Sequence, residues 1–169
     1  MRSVSVMYLV FLAVIVSAMI HVPIASSQSA ALTTEDLTSR ADVIVVGKVT
    51  GLTSEWNSDR SRIYSLVTIS IDEHIKGNES QSAVTVSTPG GEIDGVGEVY
   101  SHTARFKTDE QVVVFAAADA QGVMRVVGGD EGKVTIRKDV KTGLEMVSDS
   151  EPLNAFTHRV KAIVQAQSH

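Results

Sequence analysis

Much of the chain alternates between hydrophobic and polar positions with a period of two, which predicts a mainly β fold. The clearest example is the segment 62–75, whose polar residues share one face of the strand. Its apolar face is formed by Ile63, Val67, Ile69 and Ile71. Side chains on a strand point alternately to its two faces, so this segment predicts a strand with one buried face. The first half of the segment 41–52 is apolar on both faces, and 112–118 is a continuous apolar run, so both predict deeply buried strands.

Shorter predicted strands lie between turn-forming residues. We expect them at residues 83–88, 123–127, 133–137 and 144–147. The first of these ends at Pro89, Gly90 and Gly91, and the segment 92–107 that follows has little periodicity. We interpret 92–107 as a long excursion that contains at most a loose hairpin. Long loops in compact domains often carry function, so the excursion is the first place to look for a site.

A short helix is predicted at the start of the domain and a longer one at its end. Thr33 is a good N-cap for the first helix, which should end near Arg40. The second helix is predicted over 151–166, with Ser150 as its cap and Pro152 in its first turn. Its apolar face is formed by Leu153, Phe156, Val160, Ile163 and Val164. This face should pack over an open end or a face of the sheet.

The first 30 residues have the layout of an export signal. Arg2 precedes an apolar core at 4–20, and small residues crowd positions 25–31. This order predicts a signal peptide that is cleaved between Ser27 and Ala31. The alternative is an uncleaved anchor, because the core approaches the roughly 17 residues that can span a bilayer. Either form would place the domain outside the cytoplasmic membrane, whether secreted, periplasmic or at the cell surface.

The remaining residues, 31–169, should form one domain with its own core. Short strands at regular spacing with terminal helices predict a small closed or partly open antiparallel β-barrel. The chain has no cysteine, so neither a disulfide nor a lipid-modified N-terminus is available to it. Without Arg2 the domain has 14 basic and 20 acidic residues, a net charge of −6. That balance argues against nucleic acid as a partner, and against a membrane contact other than an uncleaved anchor.

The order of several short motifs resembles that of a group of small exported prokaryotic domains, mostly uncharacterised. These motifs are ADVIVVGKV at 41–49, Trp56, IY at 63–64, IKG at 75–77, PGG at 89–91 and FKTDEQV at 106–112. The first motif and IKG are also similar to the start of netrin-like and metalloprotease-inhibitor domains. That resemblance implies an OB-like barrel and an extracytoplasmic interaction role. Those inhibitors chelate zinc through an N-terminal cysteine, a mechanism that a chain without cysteine cannot use.

Glu92, Asp94 and Glu98 are the acidic residues in the glycine-rich part of the excursion. Carboxylates on a loop could hold calcium, but calcium takes about six to eight oxygen ligands and this spacing matches no established calcium loop. We therefore expect no metal and no cofactor. These side chains are candidates for binding a partner, and a solvated acidic loop is the simpler alternative.

His102 follows Ser101 and lies near Tyr100 in the same excursion. A Ser–His pair suggests nucleophilic catalysis, yet residues adjacent in sequence rarely face each other, and no nucleophile elbow is present. We therefore place Tyr100 and His102 on the candidate binding surface. A hydrolase in which His102 works with Asp94 or Glu98 is the enzymatic alternative.

Trp56 is the single tryptophan and precedes a polar turn. An exposed tryptophan there could anchor a partner, whereas a buried one would cap the barrel core. Asn78 begins a glycosylation sequon in another predicted turn, and we expect it to be unmodified. The sequence thus favours a non-catalytic exported module that binds another extracytoplasmic protein or an envelope component. A structural envelope component is the second alternative.

Overall fold

The computed structural model describes residues 31–148 and 150–167, and the predicted export signal lies outside the described residues. The helices are α1 (Thr34–Arg40) and α2 (Leu153–Gln167), and a 3-10 turn covers Gly129–Gly132. The strands are β1 (Val43–Trp56), β2 (Ile63–Lys76), β3 (Ala83–Pro89), β4 (Gly91–Ile93), β5 (Val96–Glu98), β6 (Gln111–Ala118), β7 (Met124–Val126), β8 (Lys133–Thr135), β9 (Arg137–Lys138) and β10 (Glu145–Met146). Among the described residues, no helix is long and apolar enough to cross a membrane.

Five strands close into a barrel in the order β1-β2-β3-β7-β6, with β6 returning to β1. All of these neighbours are antiparallel except β3 and β7, which meet in parallel at Ser87 and Arg125. The short strand β8 pairs with β6 on the same edge as β7. This order, with parallel closure between the third and last barrel strands, is the OB-type arrangement, so the predicted fold class is confirmed.

The first half of β1 and most of β6 are buried on both faces, because one face lines the barrel and the other carries the helices. The barrel interior is filled from these two strands by Val45, Val49, Val112 and Val114, together with residues of β2 and β3. The opposite face of these strands carries Ile44, Val46, Val113 and Phe115. It packs against Leu37 of α1 and against Phe156 and Val160 of α2. The rings of Phe115 and Phe156 meet edge to face with centroids 6.4 Å apart. The continuous apolar runs in the sequence are therefore strands between two cores.

The two helices begin differently. Thr33 caps α1 in a capping box with Asp36, as the sequence predicts. The start predicted for α2 is wrong, because the helix begins at Leu153 rather than at residue 151. Pro152 instead forms an isolated antiparallel bridge with Met146 and accepts the Phe156 N–H through its carbonyl oxygen. Pro152 therefore precedes the first turn, and Ser150 lies too early to be the N-cap.

Strand β1 continues well past the barrel. It runs to Trp56, beyond the predicted end at residue 52. Its pairing with β6 ends at Lys48, whereas its pairing with β2 continues to Trp56 opposite Ile63. Register shifts at Gly47 and Gly51 bend the strand near the point where it leaves β6. The extended β1–β2 hairpin forms one wall of the site described next.

Candidate binding cleft

A cleft of about 520 Å³ opens between the β1–β2 hairpin, the β4–β5 hairpin and the loop 99–107, which we call the closing loop. Its apolar lining includes Leu52, Val67, Val99, Tyr100, Ala104 and Phe106. Its polar lining includes Ser54, Ser65, Glu92, Glu98 and Arg105. Val67, Ala104 and Phe106 also belong to the barrel interior, so the cleft reaches down to the core. A mainly apolar concavity of this size with a few polar groups is typical of a binding site.

Gly90 and Gly91 fold the β4–β5 hairpin back over the cleft. Their φ angles are +96° and +144°, which favour glycine. A Cβ on Gly91 would lie 2.5 Å from Ser54 Oγ and 2.8 Å from Ser65 Oγ. The two serines also hold the turn, since Ser65 donates to the Gly90 carbonyl at 2.8 Å and Ser54 Oγ accepts the Glu92 N–H at 3.3 Å. The PGG motif therefore builds one side of the cleft.

Glu98 ties the β4–β5 hairpin to the start of β2. Its Oε2 accepts the Ile63 N–H at 3.0 Å and the Tyr100 hydroxyl at 2.9 Å. The hydrogen bond to Glu98 is the main reason that the pKa of Tyr100 is raised. Both predicted residues thus line the cleft, where they also hold its shape.

The closing loop is held by a polar knot around Glu110. Lys133 Nζ donates to Glu110 Oε1 at 2.7 Å and to the Arg105 carbonyl at 2.6 Å. Thr135 donates to the same carboxylate at 2.9 Å, and the Lys107 N–H donates to its Oε2 at 3.0 Å. Burial acts to raise the pKa of Glu110, but these hydrogen bonds outweigh it and lower the pKa. Sequence reasoning did not identify this knot, because its members are distant along the chain.

The other two predicted carboxylates project from the β4–β5 hairpin. Glu92 is exposed on β4, and Asp94 occupies the turn with φ at +52°. Within the described part of the chain, Glu92, Asp94 and Glu98 form no ion pair. No group of three or more histidine, aspartate or glutamate residues among the described residues is arranged to hold a metal ion.

His102 belongs to a neighbouring depression of about 440 Å³, which Asp130, Lys133 and Thr135 also line. The residue is exposed, has φ at +56°, and accepts the Asp130 N–H through its carbonyl oxygen at 3.3 Å. Glu98 lies in the cleft instead, where Ile63 and Tyr100 use its Oε2. No hydrogen bond between described residues joins the His102 ring to Asp94 or Glu98.

Trp56 is half-buried at the end of β1, and it belongs to neither apolar core. The Arg60 guanidinium carbon lies 6.0 Å from the centroid of its ring, within range of a cation–π contact. Trp56 does not line the cleft, but it ends the strand that supplies Leu52 and Ser54. The structure therefore places Trp56 beside the site rather than inside it.

Two exposed apolar residues line the cleft but are not among the site residues predicted from the sequence. Leu52 is 41 % exposed and Val99 is 73 % exposed, and both line the cleft. Val99 could have been noticed as an apolar residue within an aperiodic, glycine-rich segment. Leu52 could not, because it continues the apolar pattern of the predicted strand 41–52 and so looks like a core residue.

No protein-family model matches the chain, and no curated protein matches its sequence.

Proposed function

We propose that this protein is an exported, non-catalytic binding module whose cleft holds part of another extracytoplasmic protein or envelope component. The observation that carries the proposal is the apolar cleft of about 520 Å³ with exposed Leu52 and Val99 at its mouth. Apolar side chains lining a concave surface favour association, because a partner removes them from water. Export rests on the arrangement of Arg2 and the apolar core 4–20, as argued from the sequence.

The cleft is a preformed surface, because hydrogen bonds within the protein already hold its walls. The hydrogen bonds of Glu98 and Glu110 hold two of its walls, the β4–β5 hairpin and the closing loop. A preformed surface loses less conformational entropy on association, so more of the contact energy appears as affinity. The resemblance to netrin-like and metalloprotease-inhibitor domains also supports an interaction role.

The test is site-specific photo-cross-linking in intact cells that produce the full chain. A photoreactive residue at Val99 should trap one stoichiometric partner, and the same residue at Val140 should not. Val140 is a matched control, since it is 99 % exposed on the β9–β10 turn and outside the cleft lining. Leu52→Lys should remove the Val99 cross-link without changing the thermal midpoint by more than about 2 °C. Equal trapping at both positions would contradict the placement.

Export is tested on the same cells by mass spectrometry of the N-terminus. The proposal predicts a new N-terminus between residues 27 and 31, or an intact chain whose domain is reached by protease added outside the cytoplasmic membrane. An intact chain that is protected from such protease would overturn export.

A further inference from the structure

Among the described residues, the part of β1 beyond the barrel has no strand partner along one of its backbone edges. Residues 51–56 pair with β2 alone, since the pairing with β6 ends at Lys48 and the last contact beyond it joins Val49 to Glu110 and Asp109. A strand edge of this kind presents N–H and C=O groups to which another extended chain can add. Leu52 and Ser54, which lie on this segment, line the cleft.

The closing loop also has backbone N–H groups that no described residue accepts, in residues that line the same cleft. Residues 103–106 line the cleft, and within the described part of the chain none of their N–H groups donates a hydrogen bond. Ala104 is 3 % exposed and Phe106 is 8 % exposed, so these residues are nearly buried. Backbone N–H groups are obligatory hydrogen-bond donors, so this stretch offers donors that the backbone of an incoming chain can accept from.

The side chains around the cleft define what such a chain should carry. Leu52 and Val99 form an exposed apolar mouth, which suits apolar side chains. Glu92 and Glu98 line the cleft with one cation, Arg105. Asp94, which forms no ion pair with another described residue, lies in the turn of the same hairpin. Charge complementarity therefore favours a basic side chain next to the apolar ones.

We propose that the cleft binds an extended peptide segment of the partner, added as a strand along β1 and facing residues 103–106. In this segment an apolar side chain enters the cleft and a neighbouring lysine or arginine meets Glu92 or Glu98. This inference rests on the proposed function and names the chemistry of its partner. Main-chain hydrogen bonds supply affinity in this mode of recognition, and alternate side chains supply selectivity.

The probe is a phage-displayed library of random 12-residue peptides, selected on the immobilised full chain. Val99→Lys is the counter-selection target, because it removes an apolar side chain from the cleft and adds a positive charge that repels the lysine or arginine expected in the peptide. Val140→Lys is the matched control, with the same substitution at an exposed valine outside the cleft. Selected sequences should alternate β-branched or aromatic residues with lysine or arginine. They should bind Val99→Lys at least tenfold more weakly than Val140→Lys, and Glu92→Gln should weaken binding severalfold.

Hydrogen exchange then locates the bound peptide. Amides of residues 51–56 and 103–106 should exchange at least tenfold more slowly with a selected peptide present, while other loops stay unchanged. Enrichment of acidic sequences, equal binding to Val99→Lys and Val140→Lys, or binding without protection of these amides would each overturn the inference. A Val99 cross-link in cells combined with any of these results would leave the proposed function standing and reject only the extended basic peptide. Loss of that cross-link would reject the proposed function itself.

Discussion

Replacing Lys133 by methionine should destabilise the domain through a buried carboxylate left without its cation. Lys133 Nζ lies 2.7 Å from Glu110 Oε1, and the two side chains are only 11 % and 15 % exposed. Breaking a buried pair by removing one partner costs about 3–5 kcal/mol, and a lost hydrogen bond to a charged group costs about 1.5–3 kcal/mol. Because the pair is still slightly exposed, we expect a value where these two ranges meet, a loss of about 3 kcal/mol in the free energy of unfolding.

The assay is urea unfolding followed by fluorescence of Trp56, with calorimetry as a second measurement. For a domain of about 140 residues, a loss of about 3 kcal/mol corresponds to a fall of roughly 9 °C in the thermal midpoint. A double-mutant cycle with Glu110→Gln should give a coupling free energy of at least about 1.5 kcal/mol between the two residues. The cycle separates the pair from any loss of packing caused by either substitution alone.

The chain contains a matched control pair at the same distance. Lys48 Nζ also lies 2.7 Å from a carboxylate oxygen, that of Asp109, but these side chains are 43 % and 76 % exposed. Exposed pairs are weakened by solvent screening, so the coupling of Lys48→Met with Asp109→Asn should stay below about 0.5 kcal/mol. If the Glu110–Lys133 coupling were equally small, the polar knot would not hold the closing loop and the reasoning would be refuted.

Hydrogen bonds lower the pKa of Glu110 in the folded protein below its unfolded value of about 4.3. The ionised carboxylate should therefore stabilise the fold above about pH 4.3, and this stabilisation should be lost as the pH falls through the folded pKa. Urea titrations should therefore show the gap in unfolding free energy between the native protein and Glu110→Gln shrinking below about pH 4; a gap constant from pH 7 to 3 would contradict this. Gly91→Ala should cost more than about 2 kcal/mol by urea unfolding, because its Cβ would collide with two serines, whereas Gly95→Ala, with φ at +79° and nothing within 4 Å, should cost about 1 kcal/mol. Phe156→Ala should cost about 3–5 kcal/mol in the same assay by removing the ring packed on Phe115, and a loss under about 1 kcal/mol would show that α2 adds little to the fold.

The barrel could be predicted from sequence because its strands obey a local rule. In β2, Ile63, Val67 and Ile69 fall on one face and are fully buried there, as the alternation requires. The runs in β1 and β6 could be assigned to deep strands because apolar residues on both faces need two cores. What covers the second face could be predicted only in outline, since the apolar face of α2 fits either an end or a wall of the barrel.

Elements whose stability comes from distant partners could not be predicted. The last residues of β1, Thr53 to Trp56, look like a polar loop, yet they form a strand because β2 pairs with each of them. The start of α2 was misplaced for a similar reason, since the bridge between Pro152 and Met146 overrides the local signals of Ser150. The Glu110 knot joins three parts of the chain in the same way.

The candidate site shows the same division between local and distant information. The sequence places a binding surface on the excursion because glycines and missing periodicity are local signals, and part of this segment lines the cleft. It could not separate the roles of the carboxylates there, because the partners of Glu98 are the Ile63 N–H and the Tyr100 hydroxyl, which only the fold brings together or orients. Residue type makes His102 a candidate and gives no reason to single out Val99, but the structure places His102 outside the cleft lining and Val99 within it.

One strand links the stable part of this domain to the proposed site. The first half of β1 lies between two apolar cores and pairs on both edges, whereas its second half pairs on one edge and lines the cleft. The register shifts at Gly47 and Gly51 lie near the transition, where the pairing with β6 ends. The wall that faces the free edge, the closing loop, is tied by polar contacts of Glu110 more than by strand pairing. These contacts hold the closing loop in place, so the proposed added strand would meet a preformed wall while the helix-covered half keeps the fold intact.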